Sequence, residues 1–104
     1  MRMNRIVTDK IPQLVMLCKK YRVATMYLFG SAATDAFNEN SDVDFLISFH
    51  NSVTLEEYAD YYFDLLFEME DIFGRKVDLV TEKSSSNPYF IRSVEDTKQL
   101  IYVA

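Results

Sequence analysis

Three aspartates stand where an acidic side chain is expensive. Asp42 and Asp44 open the apolar run 43–49 (Val-Asp-Phe-Leu-Ile-Ser-Phe), and Asp78 lies inside a second run, 76–81 (Lys-Val-Asp-Leu-Val-Thr). Both runs are rich in aromatic, aliphatic and β-branched residues and read as strands. A charge buried in such a strand is costly unless it is paired or serves a purpose. Strand side chains alternate, so Asp42 and Asp44 project together, their Cα atoms roughly 7 Å apart. Val43, Phe45 and Ile47 then take the core face. Asp78 faces away from Val77 and Leu79 by the same rule. If the two strands lie side by side, the three carboxylates converge and repel one another until a cation holds them. Hard divalent cations prefer oxygen ligands, and Mg²⁺ commonly takes one or two carboxylates together with substrate phosphates. The chemistry served by such a set is two-metal phosphoryl or nucleotidyl transfer.

A second element suits the same chemistry. Phe29-Gly30-Ser31 ends an earlier apolar run, 23–29 (Val-Ala-Thr-Met-Tyr-Leu-Phe). Glycine lets a backbone approach a ligand closely, and a helix opening just after it would offer free N–H groups to phosphate. The Ser31 hydroxyl adds a donor, so Gly30 and Ser31 are the expected triphosphate clamp. Alone, an Asp-x-Asp pair or a Gly-Ser turn is common in proteins with no such chemistry. Their order and spacing are what carry the reading.

These residues need elements to position them. Helical spacing of Ile11, Leu14, Val15, Cys18 and Tyr21 predicts a helix over 9–21, with Pro12 in its first turn. The run 23–29 predicts a buried strand, 31–37 a short helix and 38–41 a loop. Thr54-Leu-Glu-Glu57 has the form of a capping box. It predicts a long helix to Phe73, with an apolar face of Leu55, Tyr58, Ala59, Tyr62, Leu66, Met69 and Phe73. Its Tyr and Phe residues are expected in the core, and its acidic residues on a solvated outer face, with docking of a basic partner as the sharper alternative. Gly74 stops that helix. After the strand 76–81 come a polar loop over 82–87, a helix from Pro88 to about Lys98 and a short closing strand over 100–103. The expected class is α/β (α+β), a small mixed sheet with helices packed on it, in one domain spanning 1–104.

Composition narrows the partners. The chain has 104 residues, 49% of them hydrophobic, and a formal net charge of −5. That sign disfavours non-specific nucleic-acid binding, which depends on Lys and Arg, and suits divalent cations or a basic protein. No stretch approaches the ~18 apolar residues of a membrane span. A single cysteine, Cys18, forms no internal disulfide, so a cytoplasmic location is expected. Cys18 and His50 are read as a core residue and a surface-loop residue respectively.

Gly30-Ser31, a ten-residue gap and Asp42-x-Asp44 resemble the signature of the nucleotidyltransferase fold of the DNA polymerase beta superfamily. The segment 41–46 (Ser-Asp-Val-Asp-Phe-Leu) is similar to its Ser-Asp-x-Asp-Leu motif, with Phe45 in place of Leu. The segments 74–81, 88–91 and 100–102 resemble those of the minimal nucleotidyltransferase family, often encoded beside a HEPN-domain ribonuclease as its antitoxin. The resemblance covers nearly the whole chain. It implies that Asp42, Asp44 and Asp78 hold two Mg²⁺ ions, with Asp78 also helping to deprotonate the acceptor, and that Gly30 and Ser31 hold the triphosphate of ATP or another NTP. It further implies transfer of AMP to a tyrosine hydroxyl of a HEPN toxin. The family's Arg-Gly after the Gly-Ser turn is here Thr34-Asp35, a change of charge expected to weaken triphosphate binding. Two other readings remain: a binding module that neutralises its partner by occlusion, and a transferase for a small molecule such as an antibiotic, for which a homo-oligomer could complete the acceptor pocket.

Overall fold

The computed structural model describes residues 5–33, 42–81 and 98–104. In chain order these form α1 (Arg5–Thr8), α2 (Ile11–Lys20), β1 (Val23–Phe29), a 3₁₀ turn (Gly30–Ala33), β2 (Val43–Phe49), α3 (Leu55–Phe73), β3 (Val77–Thr81) and β4 (Gln99–Val103). The strands make one mixed sheet in the order β3-β2-β1-β4. β1 is antiparallel to both β2 and β4, and β2 is parallel to β3. The expected α+β class and mixed sheet hold. No helix among the described residues is long and apolar enough to cross a membrane.

The parallel pair follows from α3. A parallel connection needs a crossover long enough to return the chain to the same end of the sheet, and α3 supplies it. Its start is fixed by Thr54: the Thr54 hydroxyl accepts the Glu57 N–H at 3.2 Å, and the Thr54 N–H donates to the Glu57 carboxylate at 3.1 Å. Its end is fixed by Gly74, which adopts φ 62° and gives its N–H to the Glu70 carbonyl at 2.8 Å. Left-handed backbone at that position is cheapest for glycine.

The core lies between one face of the sheet and the two longer helices. Leu14, Leu17 and Cys18 of α2 and Leu65, Met69 and Phe73 of α3 pack with Met26, Leu28, Val43, Phe45, Ile47, Val77 and Leu79. The Phe45 and Phe73 rings lie 5.8 Å apart. Burial pushes the Cys18 thiol up to about 12, so it stays a neutral apolar packing group.

Several expectations change. The helix expected over 9–21 is α2, with Pro12 in its first turn as expected, but a single turn that the sequence did not announce, α1, precedes it. One turn holding only Ile6 and Val7 as apolar residues leaves too little period to read. The core face of α3 is rotated from the expected stripe. Leu55 is 89% exposed and Ala59 is exposed, while Leu65 is fully buried. Phe63 and Phe67, expected in the core, are also exposed. The helix has more large apolar residues than one face can seat, so periodicity alone did not choose among them. β3 begins at Val77 rather than Lys76, and β4 at Gln99. The loops expected over 38–41 and 82–87, the helix expected from Pro88, the end of the short helix expected over 31–37, and Thr34-Asp35 lie outside the described residues.

Candidate active site

The alternation that buries Val43, Phe45 and Ile47 turns Asp44 to the second face of the sheet. Parallel register sets Asp44 directly beside Asp78, with Val43 beside Val77 and Phe45 beside Leu79. On its other flank, Asp44 stands opposite Phe29 of antiparallel β1, one residue before Gly30. Three strands thus bring the Gly-Ser turn, Asp44 and Asp78 to one end of one face. Asp42 is exposed just before β2 and acts on Asp44 through its charge.

The sequence explains the closeness of this packing. Gly30 has φ +73°, and a Cβ built there would collide with Oδ2 of Asp44 and stand 3.2 Å from its Cγ. The glycine is therefore required twice, for its backbone angle and for the space the carboxylate occupies. The Gly30–Ala33 turn is also tied to the far edge strand: Gln99 donates its side-chain N–H to the Ala33 carbonyl at 3.1 Å.

Electrostatics mark Asp44 as the strained member. Burial first, then the charges of Asp78 and Asp42, push its carboxyl up to about 6. Partial burial without a neutralising cation raises a carboxylate pKa, and like charges nearby raise it further. Tyr62 feels the same cluster. Its phenol is raised, chiefly by burial and then by Asp78, while its O–H donates to the Leu79 carbonyl at 2.5 Å.

A group of oxygen-only ligands that repel one another suits a hard divalent cation. As the side chains lie, no three His, Cys, Asp or Glu residues among the described ones stand close enough to form a finished metal cage. The pairing of Asp44 with Asp78 is built in by strand register, whereas Asp42 joins through its charge alone. Beyond the aspartates on this face lies an apolar row, Tyr27, Leu46 and Val80, paired across β1, β2 and β3, with the Lys98 ammonium 5.1 Å from the Tyr27 ring centre. Sequence reading did not single out this row. Its signal was the apolar filling at every second position on the same strands. His50 is exposed, as expected, and its Nδ1 lies 2.7 Å from the Ser52 hydroxyl at the opposite end of β2.

Residues 14–101 match the family model of the nucleotidyltransferase domain. One relative in Methanocaldococcus jannaschii, named "Putative protein adenylyltransferase MJ1379", is 41% identical over 90 residues, covering 85% of this chain and 84% of the relative. A second from that organism, with the corresponding name MJ0128, is 39% identical over 90 residues at the same coverage. Among solved structures, one described as a "putative minimal nucleotidyltransferase" superposes with a TM-score of 0.71 at 25% identity, over 94% of this chain and 96% of that one. The fold is also shared with a complex of tri-AMPylated Shewanella oneidensis HEPN toxin and MNT antitoxin (TM-score 0.64, 15% identity, 93% of this chain and 72% of that one).

Proposed function

The chain belongs to the nucleotidyltransferase domain family and is a nucleotidyltransferase; from that premise we propose that it transfers AMP from ATP to a tyrosine hydroxyl of a HEPN-type partner, restraining that partner as an antitoxin. The observation that carries the reading is the register-fixed pair Asp44 and Asp78 against Gly30. Support for a protein acceptor comes from the names of the M. jannaschii relatives. Support for a HEPN partner comes from the fold shared with the MNT antitoxin of the AMPylated complex.

Asp42, Asp44 and Asp78 would hold divalent cations, most simply two Mg²⁺ ions, which supply charge to the phosphate oxygens when bound. The chain's own residues do the rest. Gly30 and Ser31 seat the triphosphate. Asp78 receives the proton of the acceptor hydroxyl, whose oxygen attacks the α-phosphorus in line. The bond between that phosphorus and the α,β-bridging oxygen breaks, and pyrophosphate leaves. Asp44 must give up its proton before it can serve as a ligand, so the affinity for the divalent cation should fall as the pH drops below about 6.

The test is the intact mass of a co-purified partner after incubation with this protein, Mg²⁺ and each NTP in turn, beside an Asp42→Asn/Asp44→Asn double variant. The expected result is a gain of one or more AMP units with ATP, absent with the variant. A stable complex with unchanged mass under every nucleotide would overturn transfer and leave restraint by occlusion.

A further inference from the structure

Every charged residue of α3 is acidic. Three of its carboxylates have tasks inside the molecule. Glu57 pairs with Arg22 at 3.3 Å and accepts the Tyr61 hydroxyl. Glu68 pairs with Lys20 at 3.3 Å and accepts the Tyr21 hydroxyl. Glu70 accepts the Val77 N–H at 3.2 Å. The remaining four, Glu56, Asp60, Asp64 and Asp71, are exposed. At 100° per residue they share the outward side of the helix with Phe63 and Phe67. Those two rings are 52% and 62% exposed, with centres 6.4 Å apart. One helix face thus carries a solvent-facing aromatic pair beside four carboxylates that form no ion pair among the described residues.

We propose that this face is a docking surface for a cationic, apolar protein segment of the kind the acceptor would present; the proposal rests on the protein-acceptor reading above. Exposed aromatic side chains within a polar rim are the composition of a binding hot spot. The charge selects the occupant. A second copy of this chain would set like charges against one another, which is costly across an interface, and nucleic acid is repelled for the same reason. A partner helix with Lys or Arg flanking an apolar stripe satisfies both features, because its own side chains recur at the three- and four-residue spacing that Phe63 and Phe67 present. The position is also apt. α3 covers the core side of the sheet, whereas Asp44 and Asp78 occupy the second face. Gly74 ends α3 three residues before β3, whose second residue is Asp78. A protein held on the outward side of α3 therefore leaves the aspartates, on the far face of the sheet, uncovered.

The probe is a Lys/Leu amphipathic helical peptide of about 18 residues, with a Glu/Leu peptide of the same apolar face as control. Binding is followed on the full chain by amide chemical-shift mapping. Expected are shifts confined to the outer face of α3, no binding of the Glu/Leu peptide, and an affinity about tenfold weaker in the Phe63→Gln/Phe67→Gln variant. Both substitutions are at exposed helical positions, so the variant should melt as the wild type does. Shifts scattered over other faces, or an affinity unchanged by the variant, would overturn the proposal. So would a dimer of the chain alone that the variant dissolves, which would give the face to a second copy. The Asp42→Asn/Asp44→Asn variant should bind the peptide as the wild type does. If transfer to a partner fails while binding on α3 is found, the acceptor reading falls and the docking surface stands.

Discussion

The two faces of β2 are built from alternate residues of the same seven and do opposite things. On one, Val43, Phe45 and Ile47 are fully buried against α2 and α3. On the other, Asp44, Leu46 and Ser48 are half-buried, and Asp44 is held among like charges. The first face gains free energy by excluding water. The second holds a carboxylate where folding would rather have it neutral. A strand therefore need not trade stability for function along its length. It can divide them by parity.

Substitutions can break that division or sharpen it. The largest effect is expected from the core face. Phe45→Ala should cost about 3–5 kcal/mol, a large part of a small domain's stability, read as a lower urea midpoint. Next is the support of the second face. Gly30→Ala forces a side chain into the left-handed region and into the Asp44 carboxylate. It should cost about 1–3 kcal/mol and abolish transfer, and a variant of wild-type stability and activity would refute the close approach. Smaller, and confined to a single hydrogen bond, is Tyr62→Phe. Losing the bond to the Leu79 carbonyl should cost about 1 kcal/mol and leave transfer intact.

The last effect has the opposite sign. In the unfolded chain Asp44 titrates near 3.8, and in the folded protein near 6. The folded state thus holds the proton more tightly, so ionisation opposes folding in full above about pH 6, and that opposition fades as the pH falls from about 6 to about 4. Without divalent cation, Asp44→Asn should melt higher than wild type at pH 7, and the gap should close on acidification to pH 4. An unchanged gap would mean that Asp44 is not the strained group.

Most of this was legible from the chain. The bounds of β1 and β2 follow from apolar runs closed by Gly30 and by His50 to Ser52. The start and end of α3 follow from Thr54, Glu57 and Gly74, whose capping chemistry is local. The meeting of Asp44 with Asp78 was legible only conditionally, since alternation gives the face while the pairing of strands depends on the whole sheet. What sequence could not give was competition. Leu55 and Leu65 have equal claims to burial by type, and only the packed volume between α3 and the sheet decides that Leu65 enters. The exposure of Phe63 and Phe67 was hidden for the same reason, because an aromatic residue on a helix reads as core until the core is full.

The parallel register of β2 and β3 has a consequence for errors of pairing. A slip of one residue would turn Asp78 towards the helices and put Val77 and Leu79 on the other side. The same error would thus bury a charge, expose two aliphatic side chains and dismantle the carboxylate pair at once. A sheet slipped by one residue would neither pack well nor pair Asp44 with Asp78. The register that buries Val77 and Leu79 is therefore the same one that sets Asp78 beside Asp44.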